Sequence, residues 1–192
     1  WIADGRVSKA DIEMMLDTIS DTRFIGEIGL DFSSRFNDGE AQKRQLHAFK
    51  SICRKVAQTP ADDAPKILSI HAVKSVDTVL DVLEETKALN RCRAILHWFS
   101  GSSDQLHRAI LAGCWFSVGE KSLKTGKGRE YAKVYPKDRL LTETDLPSSA
   151  HPACSIEDLL AGIERACRGL SQARGYDVQD EVIANAATLF GA

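Results

Sequence analysis

Five short apolar runs, with amphipathic helical patterns between and around them, constrain the fold of this chain more than any other feature. The runs are Arg23–Ile28, Lys66–Ile70, Arg93–Leu96, Cys114–Val118 and Arg139–Thr142. Apolar residues recur at helical spacing in Glu40–Gln58 (Leu46, Phe49, Ile52, Cys53, Val56) and in Ser75–Ala88 (Val76, Val79, Leu80, Leu83). Helices are also expected over Lys9–Ile19, Ser103–Ala112, Ile156–Ala173 and Val178–Phe190, with a short one near Arg129–Tyr135. Ser8, with Asp11 three residues on, reads as a capping box, Gly113 as a helix stop, and Asp177 and Gly191 as the two ends of the last helix. Leu30–Gly39 reads as a polar loop and Thr59–Pro65 as a turn-rich break. Alternating β and α with mostly apolar strands argues for an α/β fold, a parallel sheet covered by helices. A doubly wound nucleotide-binding sheet fits less well. No G-x-G-x-x-G is present, and in G-E-I-G-L-D the carboxylate of Glu27 between the glycines would repel a pyrophosphate.

Four of the runs lead into metal-type ligands: Glu27, His71, His97 and Asp145. In a parallel α/β barrel the carboxyl ends of all strands open onto one face, so ligands far apart in sequence converge. Two histidines and two carboxylates there suit one or two divalent cations and metal-assisted hydrolysis. A lone histidine at a strand end is commonly structural, and Glu27 or Asp145 alone reads equally as half of an ion pair. It is the recurrence over four strands that points to a site. Glu143, two residues before Asp145, points to the same face in an extended segment. Two carboxylates aimed into one space repel unless a cation lies between them. Asp31, at i+4 from Glu27, reads as an orienting partner of a ligand or as a turn cap.

Ser100-Gly101 makes a tight turn whose backbone N–H groups suit a phosphate, or simply a turn. The segment from Gly119 to Arg129 is the one dense basic stretch. Its Lys121, Lys124 and Lys127 read as a glycine-hinged phosphate clamp or as a solvated loop. Trp98 and Trp115 are placed to stack on a base or to pack. His47, His107 and His151 are expected at the surface.

With 192 residues, 43% of them hydrophobic, the chain can bury one core, and residues 1–192 are read as one domain. The net charge of −2 gives no global attraction to nucleic acid, so any phosphate grip must be local. Five cysteines, an odd count without C-x-x-C, suggest reduced thiols in the cytoplasm. No run approaches the ~18 apolar residues of a membrane span. A (β/α)8 barrel typically needs ~250 residues. The five units counted here correspond to a TIM barrel lacking its first three strands, on the order of 60 residues, with an open strand edge beside Glu27.

G-E-I-G-L-D, S-I-H, L-H-W-F-S-G and L-L-T-E-T-D-L-P, in this order from about Phe24 to Pro147, resemble the signatures of TatD-type metal-dependent deoxyribonucleases. The tail with A-N-A-A-T-L-F fits as well. H-W-F-S-G and G-C-W-F-S-V-G look most similar to the TatD-like component of Qat anti-phage defence systems. The resemblance implies a (β/α)8 barrel of the metal-dependent hydrolase type and a two-metal centre (Mg²⁺, Mn²⁺ or Zn²⁺). It implies cleavage of DNA phosphodiester bonds, with protein partners in a defence complex. By motif match Glu27, His71, His97 and Asp145 hold metal, and Glu143 stands close behind them. Asp145 and Glu143 are the catalytic candidates, Asp145 orienting the attacking water and accepting its proton.

The family's opening H-x-H is absent. Its H-S-R-D reads His71-Ala72-Val73-Lys74 here, so Val73 replaces the phosphate-gripping arginine. Its R-G-x-x-N reads Pro147-Ser-Ser-Ala-His-Pro152. Lys74, Ser100, Gly101 and the lysine segment become the candidate substrate contacts. The rival readings are an amidohydrolase acting on a small molecule and a non-catalytic scaffold subunit.

Overall fold

The computed structural model describes all residues except 1, 3, 37, 61–63, 148–152 and 192; the reading of His151 lies outside the described residues. Strands β1 (Phe24–Asp31), β2 (Lys66–Val73) and β3 (Cys92–His97) pair in parallel in that order, and β4 (Trp115–Gly119) pairs in parallel with β5 (Leu140–Glu143). The helices are α1 (Lys9–Thr18), α2 (Gly39–Ala57), α3 (Val76–Thr86), α4 (Ser103–Leu111), α5 (Glu120–Leu123), α6 (Gly126–Val134), α7 (Ile156–Arg174) and α8 (Gln179–Phe190). The expected alternation is present, and the Ser8–Asp11 capping box forms as read. No helix among the described residues is long and apolar enough to cross a membrane. All five thiols are free.

The chain divides into two compact units, Trp1–Leu96 with Ser100–Cys114, and His97–Phe99 with Trp115–Ala192. In the first, α2 covers β1 and packs on α3. Phe49, Ile52 and Val56 of α2, Leu68 and Ile70 of β2, and Leu80 and Leu83 of α3 are all but fully buried. Each such side chain contributes about 1.5–3 kcal/mol over exposure. Lys66, also buried, is satisfied by donating to the carbonyls of Ser20 and Thr22, both at 2.8 Å.

The polar loop expected from Leu30 begins two residues later, because β1 runs on to Asp31. Two side chains secure the extension. The Gln45 amide pairs with the Asp31 backbone in both directions (2.7 and 3.0 Å), and Ser75 Oγ donates to the Leu30 carbonyl at 2.7 Å. β2 likewise passes through His71 to Val73, so His71 lies inside the strand, paired with Gly29.

In the second unit α7 packs on α5, α6, β4 and β5. Phe116 stacks on Tyr135 with centroids 4.7 Å apart. Arg174 is almost fully buried; its Nε donates to the Ala132 carbonyl and its Nη1 meets Glu181 at 3.0 Å. Asn185, from the A-N-A-A-T stretch, donates to the carbonyls of Lys137 and Leu140 (2.7 and 2.9 Å) and fixes the entry to β5. Asp177 does not supply a side-chain cap at the residue preceding α8, although its carboxylate accepts from Gln179 N–H; Gly191 ends the helix in the left-handed conformation, as read.

Three strand exits carry a non-glycine residue at positive φ: Lys74 after β2 (54°), Trp98 after β3 (41°) and Asp145 after β5 (54°). Each left-handed residue costs roughly 1–2 kcal/mol.

The basic segment departs most from expectation. It is no open loop, since Glu120–Leu123 and Gly126–Val134 are helical. Thr125 Oγ1 caps the second helix by accepting from Gly128 N–H at 2.9 Å.

Candidate metal centre

Within the first unit, Glu27 on β1 and His71 on β2 meet side by side, His71 Nδ1 lying 3.0 Å from Glu27 Oε1. The other ring nitrogen, Nε2, lies 3.8 Å from Asp31 Oδ2. Asp31 Oδ1 accepts from Ser33 N–H at 2.8 Å, so the residue caps the turn while its other oxygen faces the imidazole. Histidine ligands are commonly held between a metal and such a carboxylate.

Within the second unit, His97 Nδ1 lies 3.7 Å from Glu143 Oε2. Glu143 is fixed by Ser117 on β4, whose Oγ donates to Oε2, a partner with no signal in the sequence. The other oxygen, Oε1, is buried and has no hydrogen-bond partner among the described residues. Burial, opposed by the Ser117 hydrogen bond and by His97, raises the Glu143 carboxyl above its ordinary value, and the charge of Asp145 raises it further. Because Asp145 is left-handed, beyond the end of β5, strand alternation does not set its direction as expected; the two carboxylates nonetheless feel each other.

The raised carboxyl has a consequence for stability. The folded protein holds the Glu143 proton more tightly than the unfolded chain does. That contribution is complete below the ordinary value of 4.5 and is lost as pH rises through the folded value. Glu143→Gln is therefore expected to raise the Tm of metal-free protein relative to the parent at about pH 8 and to leave it unchanged near pH 4. Equal shifts at both pH values would refute this.

A cavity of about 320 Å³ lies against Glu143 and Asp145, with Trp98, Lys121, Lys124 and Arg165 among its lining residues. Lys121 Nζ lies 5.5 Å from the centroid of the Trp98 ring, which is 36% exposed. Trp115, by contrast, is buried and packs. Lys127 belongs elsewhere, 5.4 Å from the Tyr131 ring centroid. Lys74 and Ser100 are exposed and Gly101 is partly so. His47 and His107 are exposed, as read.

The donor chemistry fits a divalent cation. Within the first unit, Glu27 and His71 offer a carboxylate oxygen and a ring nitrogen side by side; within the second, Glu143 Oε1, unpartnered among the described residues, is the kind of buried oxygen that a cation or a proton must satisfy.

Acidic and histidine side chains at the carboxyl ends of parallel strands are the arrangement that barrel-class metal-dependent hydrolases use. The TatD related DNase family model matches residues 3–191, and the chain belongs to that family. It is 24% identical over 181 residues to the human "Deoxyribonuclease TATDN3", covering 92% of this chain and 63% of the relative. It is 26% identical to the "3'-5' ssDNA/RNA exonuclease TatD" of Citrobacter rodentium, covering 98% of this chain and 73% of the relative. A hydrolase TatD family protein from Entamoeba histolytica has the same fold, with TM-score 0.74 and 18% identity over 97% of this chain and 70% of that one. The chain spans 63% of the human and 50% of the mouse TATDN3 relative.

Proposed function

We propose that the protein is a metal-dependent nuclease that cleaves phosphodiester bonds of DNA, with Glu27, His71, His97 and Asp145 as ligands of two divalent ions. The observation that carries this reading is the Glu27–His71 pair, a carboxylate oxygen and a ring nitrogen 3.0 Å apart on adjacent strands. A bound divalent cation supplies Lewis-acid polarisation of the phosphoryl oxygens and a hydroxide at neutral pH. The chain's own groups do the rest. Asp145 orients the attacking water and takes its proton, Glu143 backs His97, and Asp31 holds the His71 ring. Lys121 and Lys124 in the cavity offer cations to substrate phosphate, with Lys74, Lys127, Ser100 and Gly101 as outer contacts. The Citrobacter relative named as an ssDNA/RNA exonuclease supports single-stranded nucleic acid as the substrate class.

A cytoplasmic location rests on the five free thiols. A role in anti-phage defence, with protein partners, rests on the resemblance of H-W-F-S-G and G-C-W-F-S-V-G to the Qat component.

The test is cleavage of a labelled single-stranded oligonucleotide by the complete protein with Mg²⁺, Mn²⁺ or Zn²⁺. Cleavage with at least one metal and its loss in EDTA are expected. Metal binding without cleavage of any oligonucleotide would overturn the nuclease reading in favour of a small-molecule amidohydrolase or a scaffold.

A further inference from the structure

We propose that Arg165, held by Glu120, is the phosphate anchor of the cavity beside Glu143 and Asp145, where it binds the backbone of a single-stranded nucleic acid. This inference rests on the nuclease reading above and adds a specificity residue to it.

Arg165 comes from α7 and reaches the cavity wall, where its Nε donates to Glu120 Oε2 at 2.6 Å. The other Glu120 oxygen, Oε1, lies 2.7 Å from Lys124 Nζ. One carboxylate thus holds two cations, and Lys121 adds a third along the same wall. A plain helix-to-helix ion pair needs one cation per carboxylate, whereas Glu120 holds two; Glu143, Asp145 and Asp158 also line the cavity, so the cations are gathered on its Glu120 side. Both neighbours keep Glu120 below the ordinary carboxyl range, Lys124 most strongly, so it stays ionised and the arrangement persists at neutral pH.

The guanidinium geometry completes the argument. With Nε engaged by Glu120, the two Nη groups form a fork with no hydrogen bond recorded among the described residues. One of them lies 4.0 Å from where a Cβ on Gly162 would stand, and Gly162 also lines the cavity. Such a fork matches two phosphate oxygens at once, which a lysine cannot do. The cavity volume of about 320 Å³ is near the lower end of ligand pockets and has room for one nucleotide unit. Arg165 lies on the wall next to the candidate catalytic carboxylates.

The experiment is binding of a fluorescent single-stranded dT12 to the complete protein in EDTA across a NaCl series. Arg165→Gln, Arg165→Lys and Lys124→Gln are compared with the parent, and Tm is recorded for each. Arg165→Gln is expected to weaken binding about 5–20-fold and to reduce the log–log salt slope by about 0.7, the increment for one phosphate contact on a single strand. Arg165→Lys should recover the slope but only part of the affinity, since the charge returns without the fork. In cleavage assays Arg165→Gln should raise KM with kcat little changed. Lys124→Gln, an exposed site, provides the second reading should Arg165→Gln fail to fold. It is expected to lower the slope at constant Tm. Unchanged slopes in the variants that fold overturn the anchor and leave Glu120–Arg165 as packing between α5 and α7. Because binding is read without metal, a parent that fails to cleave DNA refutes the nuclease reading alone, while an unchanged slope beside intact cleavage refutes the anchor alone.

Discussion

Replacing Asp145 with asparagine is expected to lower DNA cleavage by about 10²–10⁴-fold, the range for loss of a positioned proton acceptor, while the fold stands. The choice of asparagine follows from the backbone. Asp145 sits at φ 54°, a conformation that asparagine tolerates nearly as well as aspartate. Its side chain is exposed, so no core is disturbed. Alanine would add roughly 1–2 kcal/mol of left-handed strain and confuse stability with chemistry. Metal affinity, measured by titration calorimetry, should fall with the rate if Asp145 is one of the ligands, as proposed. The same variant tests the proposed defence role. Cells carrying it should lose protection in a phage plaque assay if cleavage is what protects them. A rate within a few-fold of the parent would remove Asp145 from the site.

Gly29→Ala is expected to produce the largest loss of stability. Gly29 has φ 130°, and a Cβ built there would lie 2.1 Å from the His71 carbonyl oxygen. That contact is with backbone and no rotamer relieves it. Strain of about 1–3 kcal/mol and overpacking of about 1–3 kcal/mol sum to about 2–6 kcal/mol. This corresponds to a Tm fall of roughly 5–20 °C for a domain of this size. Differential scanning calorimetry of metal-free protein checks it, and a fall below about 2 °C would mean that β1 and β2 can part there at little cost. Gly29 is paired with His71, so the strand contact that forbids a side chain also holds the metal-ligand candidate in register.

The strand cores, most helices and the Ser8 cap could be read from the sequence because each depends on residues a few positions apart. The extension of β1 to Asp31 could not. It depends on the Gln45 amide fourteen residues on and on Ser75, while Gly29 and Asp31 locally suggest a turn. The glycines of the basic segment misled in the same way. Gly126 and Gly128 signal a loop, yet Gly128 serves close packing, a Cβ there falling 2.0 Å from the Ser122 carbonyl oxygen. The Glu27–His71 contact could be anticipated because both residues stand at the ends of apolar runs on neighbouring strands. Ser117 and Arg165 could not, since a serine inside a strand and an arginine on a helix carry no such mark.

The left-handed residues at the exits of β2, β3 and β5 bear on how this protein can be engineered and how it can evolve. Lys74→Gly and Trp98→Gly would each relieve backbone strain, so a screen for heat resistance would reward them. The same changes erase the side chains that the strained turns present at the carboxyl ends of their strands. A lineage selected for robustness alone would drift toward glycine at these corners, whereas one selected for turnover would retain the strained residues. The exits are therefore where selection for durability and selection for catalysis conflict within this chain.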